Sequence, residues 1–298
     1  MELKLYRLKF QNAHFGVGYL NTSTMTFTAS RLFSALCLEA IKNDCLDEWL
    51  TLAKTDDFKL SDAFPYDAQP YLPFPINYRP KEKLSLATLH EDNDQNKTAS
   101  QIHFLPLDML PFLANHDLDV TELLIEEHQL AQQSIFMKKG VDPYEVGVTR
   151  YRTELYVLAS ASPLLERLLT SLQYSGLGGK RSSGYGRFEY QVMELPDELQ
   201  QGLANSKASA QLLLTTSLPT ESELKTVMEN AYCQIERSSG YTDNPNATER
   251  LRKEDLYKFK AGSVFSRRYK GMIVDVRPTD FPDPVLNFAK GLFFGMEV

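Results

Sequence analysis

At 298 residues, 43% of them hydrophobic and 24% charged, the chain is long enough for two domains of ordinary size and too apolar to be disordered. Its formal charge of −7 is unevenly placed: residues 1–37 hold four cations against one anion, 138–187 eight against four, and 250–277 nine against three, while 38–137 alone carry −11. Basic islands in an acidic chain imply one surface for a polyanion and another turned to water or to a basic partner.

LKLYRLKF (3–10) alternates with period two and reads as a strand; it lacks the apolar core of a secretory signal. A loop, QNAHFGVGYLN, follows. SRLFSALCLEAIKN (30–43) places Leu32, Phe33, Leu36, Cys37, Ala40 and Ile41 on one helical face, with Ser30 as N-cap. A second helix runs through Leu46–Ala53. The proline-rich FPYDAQPYLPFP (64–75) excludes a regular helix or a central strand, and the polar 90–100 reads as a loop or a disordered tip. VGVTRYRTELYVLA (146–159) is a strand or hairpin arm. ASPLLERLLTSLQYSG (161–176) is a helix, capped by Ser162, opened by Pro163 and closed by Gly176. FEYQVMEL (188–195) is a strand, so a glycine-rich loop joins helix to strand.

PDELQQGLANSKAS (196–209) is polar, lacks alternation and marks a domain boundary. Beyond it come a strand in AQLLLTTSL, a helix in TESELKTVMENAY with a capping box from Thr220 to Glu223, and strands near 255–260, 263–266, 271–277 and 291–297. The fold class is α+β: two βαββαβ, ferredoxin-like units, 1–200 and 208–298, the first with a long insertion at about 59–145.

The stretch GLGGKRSSGYGRF (176–188) holds five glycines, three cations and no acid. It is not a Walker A loop, because Arg181 follows Lys180 and Tyr174 stands where the first glycine belongs. The dinucleotide fingerprint fails as well: Arg181 replaces its third glycine, and no strand precedes the loop. Gly178, Gly179, Gly184 and Gly186 would instead let backbone approach a sugar–phosphate chain. Lys180, Arg181 and Arg187 supply charge, Ser182 and Ser183 hydroxyls, and Tyr185 a stacking face. His14, Phe15 and Gly16 suit base stacking or a phosphate contact. Arg150 and Arg152 alternate on one strand face, where two guanidiniums could track a backbone. Gly262, Ser263, Arg267, Arg268, Tyr269, Lys270 and Gly271 repeat the mixture of glycine, hydroxyl, cation and aromatic.

Other chemistry finds little support. Cys37, Cys45 and Cys233 form no CxxC pair and imply reduced thiols in a cytoplasmic setting. His90, His103, His116 and His128 are scattered outside any metal-ligand spacing. No catalytic group, metal or small-molecule cofactor is expected, and no apolar run reaches the ~18 residues of a membrane span.

GLGGKRSSGYGRFEY resembles the glycine-rich loop of the RAMP superfamily of CRISPR proteins. KLYRLKFQNAHFGVG…RLFSALCLEA and FKAGSVF…GMIVDVRP…FPDPV…GLFFGMEV are similar, more narrowly, to the Cas5-like subunit of type III-A effectors, the Csm complex. That resemblance implies a non-catalytic, antiviral-defence subunit of a ribonucleoprotein. Such a subunit grips the 5′ handle of the CRISPR RNA, docks the large palm-domain subunit and touches the first backbone subunit. It also implies an inserted hairpin, or thumb, that separates handle from spacer. Carried residue by residue, the handle contacts would be His14 to Gly16, Lys180 to Arg187, and Ser263 with its neighbours. Relatives often have an acid before the LFSAL helix, where this chain has Ser30-Arg31, so Arg31 is added as an RNA contact. Two other readings stand beside this one: a metal-independent endoribonuclease with His14 or Tyr185 near the scissile phosphate, and a structural adaptor whose basic islands meet acidic protein.

Overall fold

The computed structural model describes residues 1–79, 95–138, 143–242, 251–279 and 281–297 of a mixed α+β fold. Strand β1 (Leu3–Phe10) has buried residues on both faces. Its alternation sends Tyr6, Leu8 and Phe10 into one core and Leu5 into another. A short β2 (Asn12–Ala13) precedes helices α1 (Ala29–Lys42) and α2 (Leu46–Lys54). Strands β3 (Phe64–Asp67), β4 (Gln69–Pro73) and β5 (Phe104–Pro106) follow, then the short α3 (Leu110–Ala114) and α4 (Val120–Leu130). Strands β6 (Ala131–Lys138) and β7 (Tyr144–Tyr151) pair as a hairpin. Strand β8 (Glu154–Ser160), α5 (Pro163–Ser175), β9 (Phe188–Met193) and α6 (Asp197–Ala204) complete the first two-thirds.

The main sheet runs β5-β4-β3-β8-β1-β9. Leu32, Phe33 and Leu36 of α1 and Leu165, Leu168, Leu169 and Leu172 of α5 pack on one face of it. Each such fully buried side chain contributes ~1.5–3 kcal/mol. The other face is covered by residues distant in sequence, among them Leu199, Leu212 and Phe294.

The remainder holds β10 (Ala210–Leu213), α7 (Glu221–Val227), β11 (Ile235–Ser238), β12 (Leu256–Phe259), β13 (Val264–Phe265), β14 (Gly271–Asp275), β15 (Leu286–Lys290) and β16 (Phe293–Met296). They form a β13-β10-β16 sheet and the hairpins β11–β12 and β14–β15. The expected capping box is present, Glu223 reaching back to the Thr220 N–H at 2.9 Å.

A buried polar cluster ties the two parts together. Asp62 accepts hydrogen bonds from the Ala29 N–H at 2.7 Å, the Thr216 N–H at 3.0 Å and the Thr216 hydroxyl at 2.6 Å. The first of these satisfies an orphan donor at the start of α1. Burial nonetheless pushes the Asp62 carboxyl up to about 6. Lys258, 1% exposed, donates to Ser30 Oγ at 3.1 Å and Asn287 Oδ1 at 3.2 Å. Burial lowers its pKa, and Asp62 opposes that shift.

Several sequence expectations change. The 64–75 segment supplies β3 and β4, both interior strands. Their ladders are short, Phe64–Tyr66 against Tyr156–Glu154 and Tyr66–Asp67 against Gln69–Pro70, so each proline removes at most one rung. The polar 196–209 stretch, read from sequence only as lacking alternation, carries α6. Leu199, Gly202 and Leu203 recur at helical spacing and bury α6 against β16, where a Cβ on Gly202 would stand 2.0 Å from the Phe294 ring. VGVTRYRTELYVLA breaks at Arg152–Thr153 and feeds two different sheets. Ser30 lies inside α1, whose N-cap is Thr28, and Ile41 is 53% exposed. Of the polar 90–100 stretch, 95–99 are helical and 90–94 lie outside the described residues. Strands β11 and β15 were not anticipated, for each is short and weakly alternating.

Candidate nucleic-acid interface

Helix α5 ends where Gly176 adopts φ +77°, and the glycine-rich loop folds back onto the first loop of the chain. The Gly179 N–H donates to the His14 carbonyl at 2.9 Å and the Gly186 N–H to the Asn12 carbonyl at 3.0 Å. The Leu177 N–H closes the loop on the Gly186 carbonyl at 2.8 Å. A Cβ on Gly186 would stand 2.0 Å from the Leu177 carbonyl oxygen, and one on Gly179 2.6 Å from the His14 ring. These glycines therefore admit the protein's own backbone and imidazole. That corrects the expectation that they keep room for a ligand. Gly178 packs beside Phe15 and the His14 carbonyl, whereas Gly184, at φ +87°, faces open space.

The outcome is a platform. Lys180, in a left-handed conformation, precedes a single 3-10 turn over Arg181–Ser183. Arg181, Ser182, Ser183, Gly184 and Arg187 are exposed. The β6–β7 hairpin stands beside them, joined to the first loop through Asn12↔Arg150 and Ala13↔Thr149 pairing. Lys180 Nζ lies 4.3 Å from the Tyr144 ring centroid, Lys138 Nζ 5.5 Å from that of Tyr185, and Arg150 Cζ 5.0 Å from that of Phe136. Each contact holds a cation near an aromatic face for about 0.5–1 kcal/mol and leaves its charge uncancelled. Among the described residues, Lys138, Arg150, Lys180, Arg181 and Arg187 pair with no carboxylate. Sequence reasoning missed Lys138, Phe136 and Tyr144. The alternation of QQSIFMK was the available signal for the hairpin arm.

His14 sits at the centre but is 5% exposed. Its Nδ1 donates to the Gly147 carbonyl at 2.6 Å, which fixes the tautomer and anchors the hairpin. Phe15 is fully buried against Phe10 and Phe27 and cannot stack on a base, so that expectation is withdrawn. Gly16 lines a separate cleft of about 1680 Å³ between the two parts of the molecule. Arg31 lines it too and donates to the Gly16 carbonyl at 2.8 Å. Burial lowers the Arg31 pKa, and its guanidinium braces the first loop. Arg79, Arg237 and Lys260 reach the same cleft, opposed by Glu127, Glu236 and Glu254.

Five other expected contacts lie elsewhere. Arg152 is not on the face of Arg150; it follows β7 in a bend and lines a pocket with Asp67, Asp108 and Glu126. Ser263 is fully buried, its hydroxyl donating to the Lys260 carbonyl at 2.7 Å. Gly262 packs so closely that a Cβ would meet the Phe74 carbonyl oxygen at 2.8 Å. Arg268 donates to Gln211 and to the carbonyls of Leu203 at 2.8 Å and Asn205 at 2.8 Å, which caps the end of α6. Arg267 remains exposed, 3.9 Å from Glu229. Among the described residues there is no cluster of histidine, cysteine or acid that could hold a metal ion, and no helix long and apolar enough to cross a membrane.

Comparison with known proteins is consistent along the chain. Residues 206–296 match the CRISPR Csm4 C-terminal domain. The chain is 44% identical to the CRISPR system Cms protein Csm4 of Streptococcus thermophilus over 303 residues, all of both chains. It is 33% identical to the protein of the same name from Mycobacterium tuberculosis (strain CDC 1551 / Oshkosh) over 311 residues, 99% of this chain and 98% of that one. The crystal structure of a Csm3–Csm4 subcomplex from the type III-A CRISPR-Cas interference complex superposes with a TM-score of 0.67 at 16% identity, covering 99% of this chain and 100% of that one. A Csm1–Csm4 cassette in complex with AMPPNP gives a TM-score of 0.61 at 14% identity, covering 100% of this chain and 99% of that one. These two likenesses concern the fold, and the curated relatives establish descent: the chain belongs to the Csm4 family, the Cas5-like subunits of type III-A CRISPR Csm complexes.

Proposed function

We propose that the chain is a non-catalytic RNA-binding subunit that grips the 5′ handle of the CRISPR RNA. In the same complex it would join a large palm-domain subunit and a backbone subunit, in the cytoplasm, for antiviral defence. The observation that carries this reading is the platform: five cations without a carboxylate partner among the described residues, carried together with Phe136, Tyr144 and Tyr185 by a loop and a hairpin that meet at His14. Unpaired cations interleaved with aromatic faces suit a single nucleic-acid strand. The contacts are assigned to Lys138, Arg150, Lys180 to Tyr185 and Arg187. His14, Phe15 and Gly16 support them from behind.

The partners follow from relatives crystallised as a Csm3–Csm4 subcomplex and as a Csm1–Csm4 cassette. The strand order β3-β8-β1-β9 with α1 and α5 on one face supports a ferredoxin-like first unit, which we place at 1–200 with an insertion at about 59–145. We place the second unit at 208–298. Its capping box, Thr220 to Glu223, opens α7 in the connection between β10 and β11.

Purifying the tagged protein from its host and sequencing the bound RNA tests the reading. Fragments beginning with the repeat-derived handle are expected; random cellular RNA would overturn it. The endoribonuclease alternative is tested by incubation with repeat RNA in EDTA. The buried His14, held by the Gly147 carbonyl, argues for intact RNA.

A further inference from the structure

A second surface is built from residues that the RNA reading leaves unused. A pocket of about 380 Å³ opens where the β3–β4 turn, the chain beyond β5, α4 and the β7–β8 turn meet. Asp67, Asp108 and Glu126 line it together with Arg152, Thr153 and Tyr71. Among the described residues, none of these three carboxylates takes part in an ion pair or a side-chain hydrogen bond. Tyr71 is 8% exposed, and its hydroxyl likewise has no partner among the described residues. Tyr71 lines the recess beside the three carboxylates, and burial, then Asp67, Glu126 and Asp108, push its phenol up to about 12. Burial, Glu122 and Asp108 also raise the Glu126 carboxyl.

One guanidinium, that of Arg152, does not balance three carboxylates. The recess repels phosphate and favours a cation carrying several N–H donors. A bare metal ion is disfavoured, because the described acids do not converge into a cluster able to hold one. Asp67 and Asp108 are exposed, Glu126 is half-buried and Tyr71 is buried, so the cation enters from outside and ends between Glu126 and Tyr71. A long side chain presented by an apposed protein surface has that shape. We propose that the pocket between the β3–β4 turn and α4 is a socket for a lysine or arginine side chain of an adjoining protein subunit. The proposal rests on the reading of this chain as a subunit of a larger complex and is independent of the RNA platform.

The test uses the full chain. Its affinities for the purified Csm3-type and Csm1-type subunits of the same host, and for handle RNA, are measured for the native protein, for Glu126→Lys and for the combined Asp67→Asn, Asp108→Asn, Glu126→Gln variant. The amide set keeps side-chain shape, so it covers the case in which Glu126→Lys fails to fold. Loss of about tenfold or more for one of the two subunits, with handle affinity unchanged, is expected. Unchanged affinity for both subunits would overturn the socket while leaving the subunit reading intact. Failure of the native chain to bind either subunit would overturn both. Spermidine, titrated calorimetrically, is the probe for a free polyamine. Saturable binding lost in the amide variant, with subunit affinities unchanged, would assign the pocket to the polyamine instead.

Discussion

Replacing Lys180 and Arg181 by glutamine removes two of the five unpaired cations of the platform: Lys138, Arg150, Lys180, Arg181 and Arg187. Glutamine is shorter but keeps N–H donors and removes the charge, and of the contacts within the fold it costs the Lys180–Tyr144 one, about 0.5–1 kcal/mol. If each cation meets one phosphate of a single strand, the logarithm of affinity falls with the logarithm of salt concentration at a slope of about −3.5. The double variant should show a slope of about −2.1. Between about 50 and 200 mM salt the native protein then loses about 130-fold in affinity and the variant about 18-fold. Fluorescence anisotropy of a labelled handle RNA across that range, with melting temperature as the folding control, reads both slopes. Weaker binding with an unchanged slope would mean that these side chains shape the loop without touching phosphate. An unchanged affinity would place the RNA elsewhere.

Three further outcomes follow from the geometry. Gly186→Ala forces a Cβ to 2.0 Å from a carbonyl oxygen at φ +80°, so urea unfolding should show a loss of about 2–5 kcal/mol, together with loss of handle binding. Arg268→Ala strips the end of α6 of its donor and should cost about 2 kcal/mol in the same assay while leaving the salt slope at the native value; a changed slope would restore Arg268 to the RNA surface. The Asp62 carboxyl is raised to about 6 in the fold, above its ordinary 3.8, so the stability it contributes is complete below pH 4 and fades as pH rises through about 6. Asp62→Asn should flatten that part of the stability–pH curve, by at most about 3 kcal/mol between pH 4 and pH 7, measured as the difference between variant and native protein; a parallel offset at all pH values would contradict the assignment.

The features legible from the chain alone are local. Period-two alternation in 3–10 and helical spacing in 30–43 and 161–176 are set by near neighbours, and the structure places β1, α1 and α5 there within a residue or two. Glycine punctuation marked the loop after α5 for the same reason. The tertiary structure alone decided which polar and aromatic residues face water. Phe15, Ser263 and Arg268 carry the same chemistry as Tyr185, Ser182 and Arg187. The first three meet Phe27, the Lys260 carbonyl and the end of α6, whereas the others meet none of these. Burial depends on what distant segments bring to a position, and a residue's own neighbours in the chain do not encode it. The same holds for Arg152, two residues from Arg150 but turned by the β7–β8 bend into an acidic pocket. It holds as well for Lys138, which joins the platform only because the β6–β7 hairpin folds against the loop that follows α5.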